Sequence, residues 1–178
     1  MGKSKDNLYL FEALELRNSF DRIISVLKAI LDEPENRRDL FTMRSDADKR
    51  EYDDDFNFKE TDQELKALET KRVKLNQAIQ AANFTNTLDF RGTEISIAEA
   101  LEVRKDLLSK IETITGKVKK SAFKEIVHKE ERDIVHRPKQ PFHETYQEYQ
   151  VAVQELQLLN RTIHRLNHEV IVNFKDEV

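Results

Sequence analysis

Apolar residues recur along this chain at helical spacing in four long stretches, separated by segments where the pattern fails. Over residues 7–31, Phe20, Ile24, Leu27 and Leu31 are spaced 4, 3 and 4, with Leu10, Leu14, Ile23 and Ile30 widening the same face. Pro34 stands just past the end, where a proline stops a helix. A second helix is predicted to open at Thr61-x-x-Glu64, a capping-box spacing in which hydroxyl and carboxylate each satisfy a free backbone N–H. Leu65, Leu68, Arg72, Leu75, Ile79 and Ala82 then alternate three and four apart, a coiled-coil-like seam with one charged interruption. The run ends in Asn83, Phe84, Thr85, Asn86 and Thr87, rich in side chains that compete for backbone hydrogen bonds. Residues 88–93, with Gly92, read as a connector. Ser96-x-x-Glu99 is a second capping box and opens a third helix, with Ile97, Leu101, Leu108, Ile111 and Val118 on one face and Gly116 weakening its end. The fourth helix, over residues 143–173, carries Tyr146, Tyr149, Val153, Leu156, Leu159, Ile163, Leu166 and Val170 on one stripe.

The helices repeat. Glu12-Ala13-Leu14-Glu15-Leu16-Arg17 recurs as Glu99-Ala100-Leu101-Glu102-Val103-Arg104, 87 positions on. Leu75-Asn76-x-x-Ile79-x-x-x-Asn83 recurs as Leu159-Asn160-x-x-Ile163-x-x-x-Asn167, 84 positions on. The economical reading is a single all-α domain over residues 1–178, a long-helix bundle of two duplicated helical hairpins (residues 7–86 and 94–173) packed face to face. Its connectors are expected to be small β-hairpins or mobile arms.

The two long connectors have opposite charge. Residues 33–60 hold ten acidic and six basic side chains, a balance of −4, and are expected to form either two short strands flanking 46–49 or a mobile loop. Residues 116–141 hold eight basic and four acidic side chains, a balance of +4. Within them Glu125-Ile126-Val127-His128 is answered by Asp133-Ile134-Val135-His136, two β-branched pairs around a charged turn that suggest a hairpin, with a continuous helix through Glu131 as the alternative. An acidic arm meeting a basic arm is a natural basis for a homo-oligomer.

Composition narrows the classes. An apolar fraction of 38% beside a charged fraction of 36%, with three Gly and three Pro, favours long amphipathic helices. A net charge of −4 argues against nucleic acid as partner. No cysteine is present, which excludes disulfides and thiolate chemistry. No apolar run approaches the length of a membrane span and nothing near Met1 reads as a signal peptide, so a cytoplasmic location is expected.

These landmarks resemble a small family of uncharacterised, mainly bacterial helical proteins, some of which carry the name septicolysin. The resemblance rests on residues Glu12 to Arg17, Ile79 to Asn86, Arg91-Gly92-Thr93 through Ile97, Ala100 to Leu107, and Ile163 to Asn167, and leaves out residues 33–60. It departs at Phe90-Arg91-Gly92, where the family has Asp-Gly, at Lys105-Asp106, and at His168, where the family tends to have Trp. It implies a helical fold. A pore-forming role is not carried over, since no segment here is suited to insertion.

Candidate chemistry is sparse. There is no Gly-rich phosphate loop and no G-x-S-x-G nucleophile motif, so the chain is not expected to be an enzyme, and no cofactor is expected. Glu125-x-x-His128 and Asp133-x-x-His136 have the spacing used by di-iron bundles, and His164 and His168 lie four apart, but a surface role is the commoner use of both. The best candidate site is for a small anionic, nucleotide-like ligand: Asn83, Thr85, Asn86, Arg91 and Thr93 before a helix N-terminus, with Arg104 two turns in and its repeat mate Arg17. The plainer alternative is that the Asn and Thr residues cap helix ends and each arginine pairs with an acid, as Arg17 can with Asp21 four residues on. The leading expectation is therefore a non-catalytic, homo-oligomeric binding or scaffold protein. A ligand-sequestering protein comes second, and a di-metal enzyme using Glu125, His128, Asp133 and His136 third.

Overall fold

A computed structural model of the chain describes residues 7–32, 52–128 and 132–175. Its elements run β1 (Asn7–Tyr9), α1 (Leu10–Asp32), α2 (Phe58–Thr85), β2 (Thr87–Phe90), β3 (Thr93–Ser96), α3 (Ile97–Ser121), β4 (Glu125–His128), β5 (Asp133–His136), α4 (Phe142–Glu169) and β6 (Ile171–Asn173). The fold is mostly helical, as the periodicity requires. It is not purely so: β1–β6, β2–β3 and β4–β5 each form an antiparallel two-stranded pair. Among the described residues no helix is long and apolar enough to cross a membrane. The chain divides into two compact units, Met1–Ala82 with Glu169–Val178, and Asn83–His168.

In the first unit, Leu10, Ala13, Phe20 and Ile24 are buried on α1, at helical spacings that keep them on one face. Residues 7–9, expected to begin that helix, are instead a strand whose register is Asn7↔Asn173, Leu8↔Val172 and Tyr9↔Ile171. The end of the expected fourth helix is correspondingly lost. The β-branched run Val170-Ile171-Val172 favours extended backbone, and Val170, Val172 and Phe174 bury every second side chain. Helix α2 begins three residues before Thr61. Asn57 is the residue that caps it, accepting the Glu60 N–H at 3.2 Å and donating back to the Glu60 carboxylate at 3.2 Å. The Thr61 hydroxyl instead donates to the Asn57 carbonyl at 2.9 Å. Asp21 on α1 pairs with Arg72 on α2 at 2.7 Å, so the charged interruption of the seam serves as a bridge between helices. At the other end of α1 the Tyr52 hydroxyl donates to the Ile30 carbonyl at 2.9 Å, satisfying a last-turn acceptor that has no helical donor. Of the 33–60 connector, residues 33–51 lie outside the described ones, so the expected strands around 46–49 do too; residues 52–57 form no strand.

In the second unit, the expected connector at 88–93 is a tight hairpin. Strands β2 and β3 pair Leu88↔Ile95 and Phe90↔Thr93, and the two turn residues Arg91 (φ 56°) and Gly92 (φ 75°) both have positive φ. That is the geometry whose twist matches the flanking strands. The Asp89 carboxylate accepts the Gly92 N–H at 3.1 Å. The Ser96–Glu99 capping box opens α3 as the sequence predicts. Gly116 does not end that helix, which runs on to Ser121. The 125–136 segment forms the predicted hairpin, in register Ile126↔Val135 and Val127↔Ile134. Helix α4 buries Thr145, Ala152, Leu159, Ile163 and Leu166 along one stripe.

Two of the strand pairs have matching geometry. The Leu10 N–H donates to the Val170 carbonyl, and the Ile97 N–H to the Asn86 carbonyl, each at 2.9 Å. The donors are 87 positions apart and the acceptors 84, the offsets of the sequence matches. Leu8↔Val172 and Leu88↔Ile95 correspond under the same shifts. The Tyr9 N–H is met by the Glu12 carboxylate at 2.9 Å, as the Ser96 N–H is by that of Glu99 at 2.7 Å.

Candidate functional site

The N-terminus of α3 is where the sequence places an anion, because its first N–H groups lack helical acceptors. The chain fills that place itself. Glu99 Oε2 accepts from the Ser96 N–H at 2.7 Å and from the Ser96 hydroxyl at 2.8 Å, while Ser96 Oγ accepts the Glu99 N–H at 3.1 Å. The Ser96 backbone bond, then its hydroxyl bond, hold the Glu99 carboxyl below the ordinary glutamate pKa. An external anion would have to displace a carboxylate that is already ionised and doubly bonded.

The seven predicted ligand-binding residues are spread out. Asn83 is buried in the last turn of α2, and Thr85 ends that helix and is exposed. Asn86 follows, its amide donating to the Thr85 hydroxyl at 3.3 Å and its carbonyl accepting from Ile97. Arg91 and Thr93 sit at the far tip of the hairpin, about 15 Å from Asn86 by the rise of an extended strand. Arg104 is half-buried on α3, about 10 Å along the axis from Ile97. Arg17 is half-buried on α1, in the other compact unit. The structure brings together Asn83, Thr85 and Asn86, and separately Arg91 and Thr93.

Arg91 has a partner that sequence reasoning did not supply. Its guanidinium grips Glu155 of α4 through two bonds, Nε to Oε1 at 3.1 Å and Nη2 to Oε2 at 2.6 Å, and lies 5.1 Å from the Phe90 ring centroid. A small cleft of about 290 Å³ beside it is lined by Asp89, Glu155 and Leu158, so Arg91 brings no net positive charge to it. Glu155 is 64 positions away in sequence, and no local signal links the two. Asp21, the acid within helical reach of Arg17, is likewise taken by Arg72.

The E-x-x-H idea depends on a helix. In a strand, residues three apart point to opposite faces, and Glu125 and His128 both lie on β4. Their cross-strand neighbours are His136 and Asp133. Among the described residues no three His, Asp or Glu side chains gather closely enough to hold a metal. His164 and His168 are exposed on α4.

What stands out is the β4–β5 arm. Ile126, Val127 and Val135 are exposed, and the register puts an apolar pair on each face. At its root Phe123 is 76% exposed, and the exposed rings of Phe142 and Tyr146 stack at 5.5 Å.

No protein-family model matches this sequence. No curated protein matches it either. The chain is similar to a solved structure of a functionally unknown conserved protein from Corynebacterium diphtheriae, with 22% identity and a TM-score of 0.65, over 93% of this chain and 99% of that one. At that identity the likeness establishes the fold.

Proposed function

We propose that this chain is a non-catalytic helical binding protein that works as a homo-oligomer, with the β4–β5 arm reaching a second copy. The observation that carries this reading is the arm's double apolar face. A two-stranded hairpin is marginal in water without something to pack against. Both of its outer edges also lack a strand partner among the described residues. Four β-branched side chains are too few for a stable interface, which buries about 1,200–2,000 Å² in total. Phe123, Phe142 and Tyr146 add exposed aromatic surface to it. A second copy also offers complementary charge, since residues 116–141 carry +4 and residues 33–60 carry −4.

The same reading takes the chain as two duplicated helical hairpins, each running strand, helix, connector, helix, strand. What supports duplication is that the sequence offsets of 87 and 84 recur in the strand registers and in the carboxylates meeting Tyr9 and Ser96. We also set the chain with the septicolysin-named family that its motifs resemble.

Sedimentation velocity tests the oligomer. The wild type should sediment as a multiple of 21.0 kDa, and the Ile126→Asp, Val135→Asp double variant as a monomer with unchanged helical circular dichroism. A monomeric wild type, or a variant that assembles equally well, refutes the proposal.

A further inference from the structure

The arm's root holds a second feature, on its helical side. A cleft of about 570 Å³ opens between the end of α3 and the 137–141 turn that leads into α4. Its lining includes Lys117 and Lys120 from α3, Arg137 and Lys139 from the turn, and the residues Ser121 and Thr145. Among the described residues no carboxylate lines it, although the sequence holds 34 acidic residues. None of the four cations makes an ion pair among the described residues.

Lysines near the end of a helix have an ordinary use, since they complement the dipole of its last carbonyls. That explains Lys120, which lies in the last turn of α3; Lys117 stands before that turn. The dipole does not explain Arg137 and Lys139, which come from a different element and add like charge to the same hollow. Repulsion among four cations is relieved most cheaply by one multivalent anion. Phosphate chains suit this lining, because arginine meets phosphate oxygens with two parallel N–H bonds and lysine acts as a mobile point charge. The volume lies in the range of small-molecule sites and exceeds the need of one phosphate group. A triphosphate carries about four negative charges near neutral pH, matching the four cations.

We infer that this cleft binds an oligophosphate, either free or as the phosphate chain of a nucleotide. The adjoining hollow of about 460 Å³ shares Ser121, Arg137 and Lys139 and adds Lys124 and the exposed Phe123 ring, a surface on which a base can stack. Every residue lining the cleft itself belongs to one chain and one compact unit, so phosphate binding does not require assembly; stacking on Phe123 competes with the interface proposed above.

Isothermal titration of the full-length protein with tripolyphosphate, ATP and sulfate tests it. Tripolyphosphate should bind, sulfate at least tenfold more weakly, and added salt should weaken both. Comparable affinity for tripolyphosphate and ATP means that the phosphate chain alone is recognised. ATP binding tenfold tighter, with the gain lost in Phe123→Ala, means a nucleotide. The Lys120→Gln, Arg137→Gln variant should bind tripolyphosphate at least tenfold more weakly, as should the separate Lys117→Gln, Lys139→Gln variant. Lys74→Gln on α2 should match the wild type. Lys74, Lys117 and Lys120 lie on helices, Phe123, Arg137 and Lys139 do not, and all six are exposed, so melting temperatures provide the folding control. No binding of tripolyphosphate or ATP, or binding by both cleft variants as tight as that of the wild type, overturns the inference.

Discussion

The hydroxyls of Ser121 and Thr145 lie 2.7 Å apart, and the two residues are 8% and 2% exposed. The bond joins the last residue of α3 to the first turn of α4, and each hydroxyl also reaches a carbonyl of its own helix, Val118 at 2.8 Å and Phe142 at 3.0 Å. Thr145→Val keeps the shape and deletes the polar partner. It should cost about 1–2 kcal/mol in urea unfolding. The Ser121→Ala, Thr145→Val double variant should cost less than the sum of the single changes, because neither hydroxyl is then left behind. Additive losses would mean that the two groups do not interact.

Two glycines should respond to the same substitution with opposite sign. A Cβ at Gly92 or at Gly116 meets nothing within 4 Å, so packing does not decide either case. Gly92 has φ +75°, and Gly92→Ala should destabilise by about 1–2 kcal/mol. Gly116 lies within α3, and Gly116→Ala should stabilise by about 0.5–1 kcal/mol. Thermal melts of the two variants should shift in opposite directions.

Acid should weaken the start of α3. The Glu99 carboxyl titrates lower in the folded chain than in the unfolded one, so its contribution is complete above the unfolded value and is lost as pH falls through the folded value. Glu99→Gln keeps a capping side chain but removes the titration. Unfolding curves over a pH series should show the variant losing less stability than the wild type on the acid side. Parallel curves would show that Glu99 adds nothing to the acid response.

Leu158 and Leu159 are adjacent on α4 yet 62% and 1% exposed. Leu159→Ala should cost about 2–5 kcal/mol. Leu75, 84 positions earlier in the matching sequence segment, is 0% exposed and should behave the same way. Leu158→Ala should stay within about 0.5 kcal/mol. A comparable cost at both positions of α4 would mean that the helix buries a different face.

What could be read from the sequence was the local chemistry. Ser96 and Glu99 are three residues apart, and their box is present as predicted. The β4–β5 hairpin followed from its two β-branched pairs. The β2–β3 hairpin is less legible, because Arg91-Gly92 is not among the common turn dipeptides, and so is the Asn57 cap, because Thr61 offers an equally good spacing. Strands β1 and β6 were absorbed into helices, since partners at opposite ends of the sequence leave no local mark. The candidate site suffered for the same reason: Arg91 is engaged by Glu155 and Asp21 by Arg72, both through long-range pairs.

The pairing of β1 with β6 also governs the order in which this protein can assemble. Leu8 and Val172 are 164 positions apart, whereas Leu88 and Ile95 are 7 apart. Closing the longer span costs about 3 kcal/mol more in chain entropy. During synthesis the first compact unit must wait for the last strand, while the second is contiguous in sequence and complete once α4 has emerged. A ribosome stalled before Ile171 would therefore hold α1 with the pairing edge of β1 still open, which exposes the nascent chain to mispairing there.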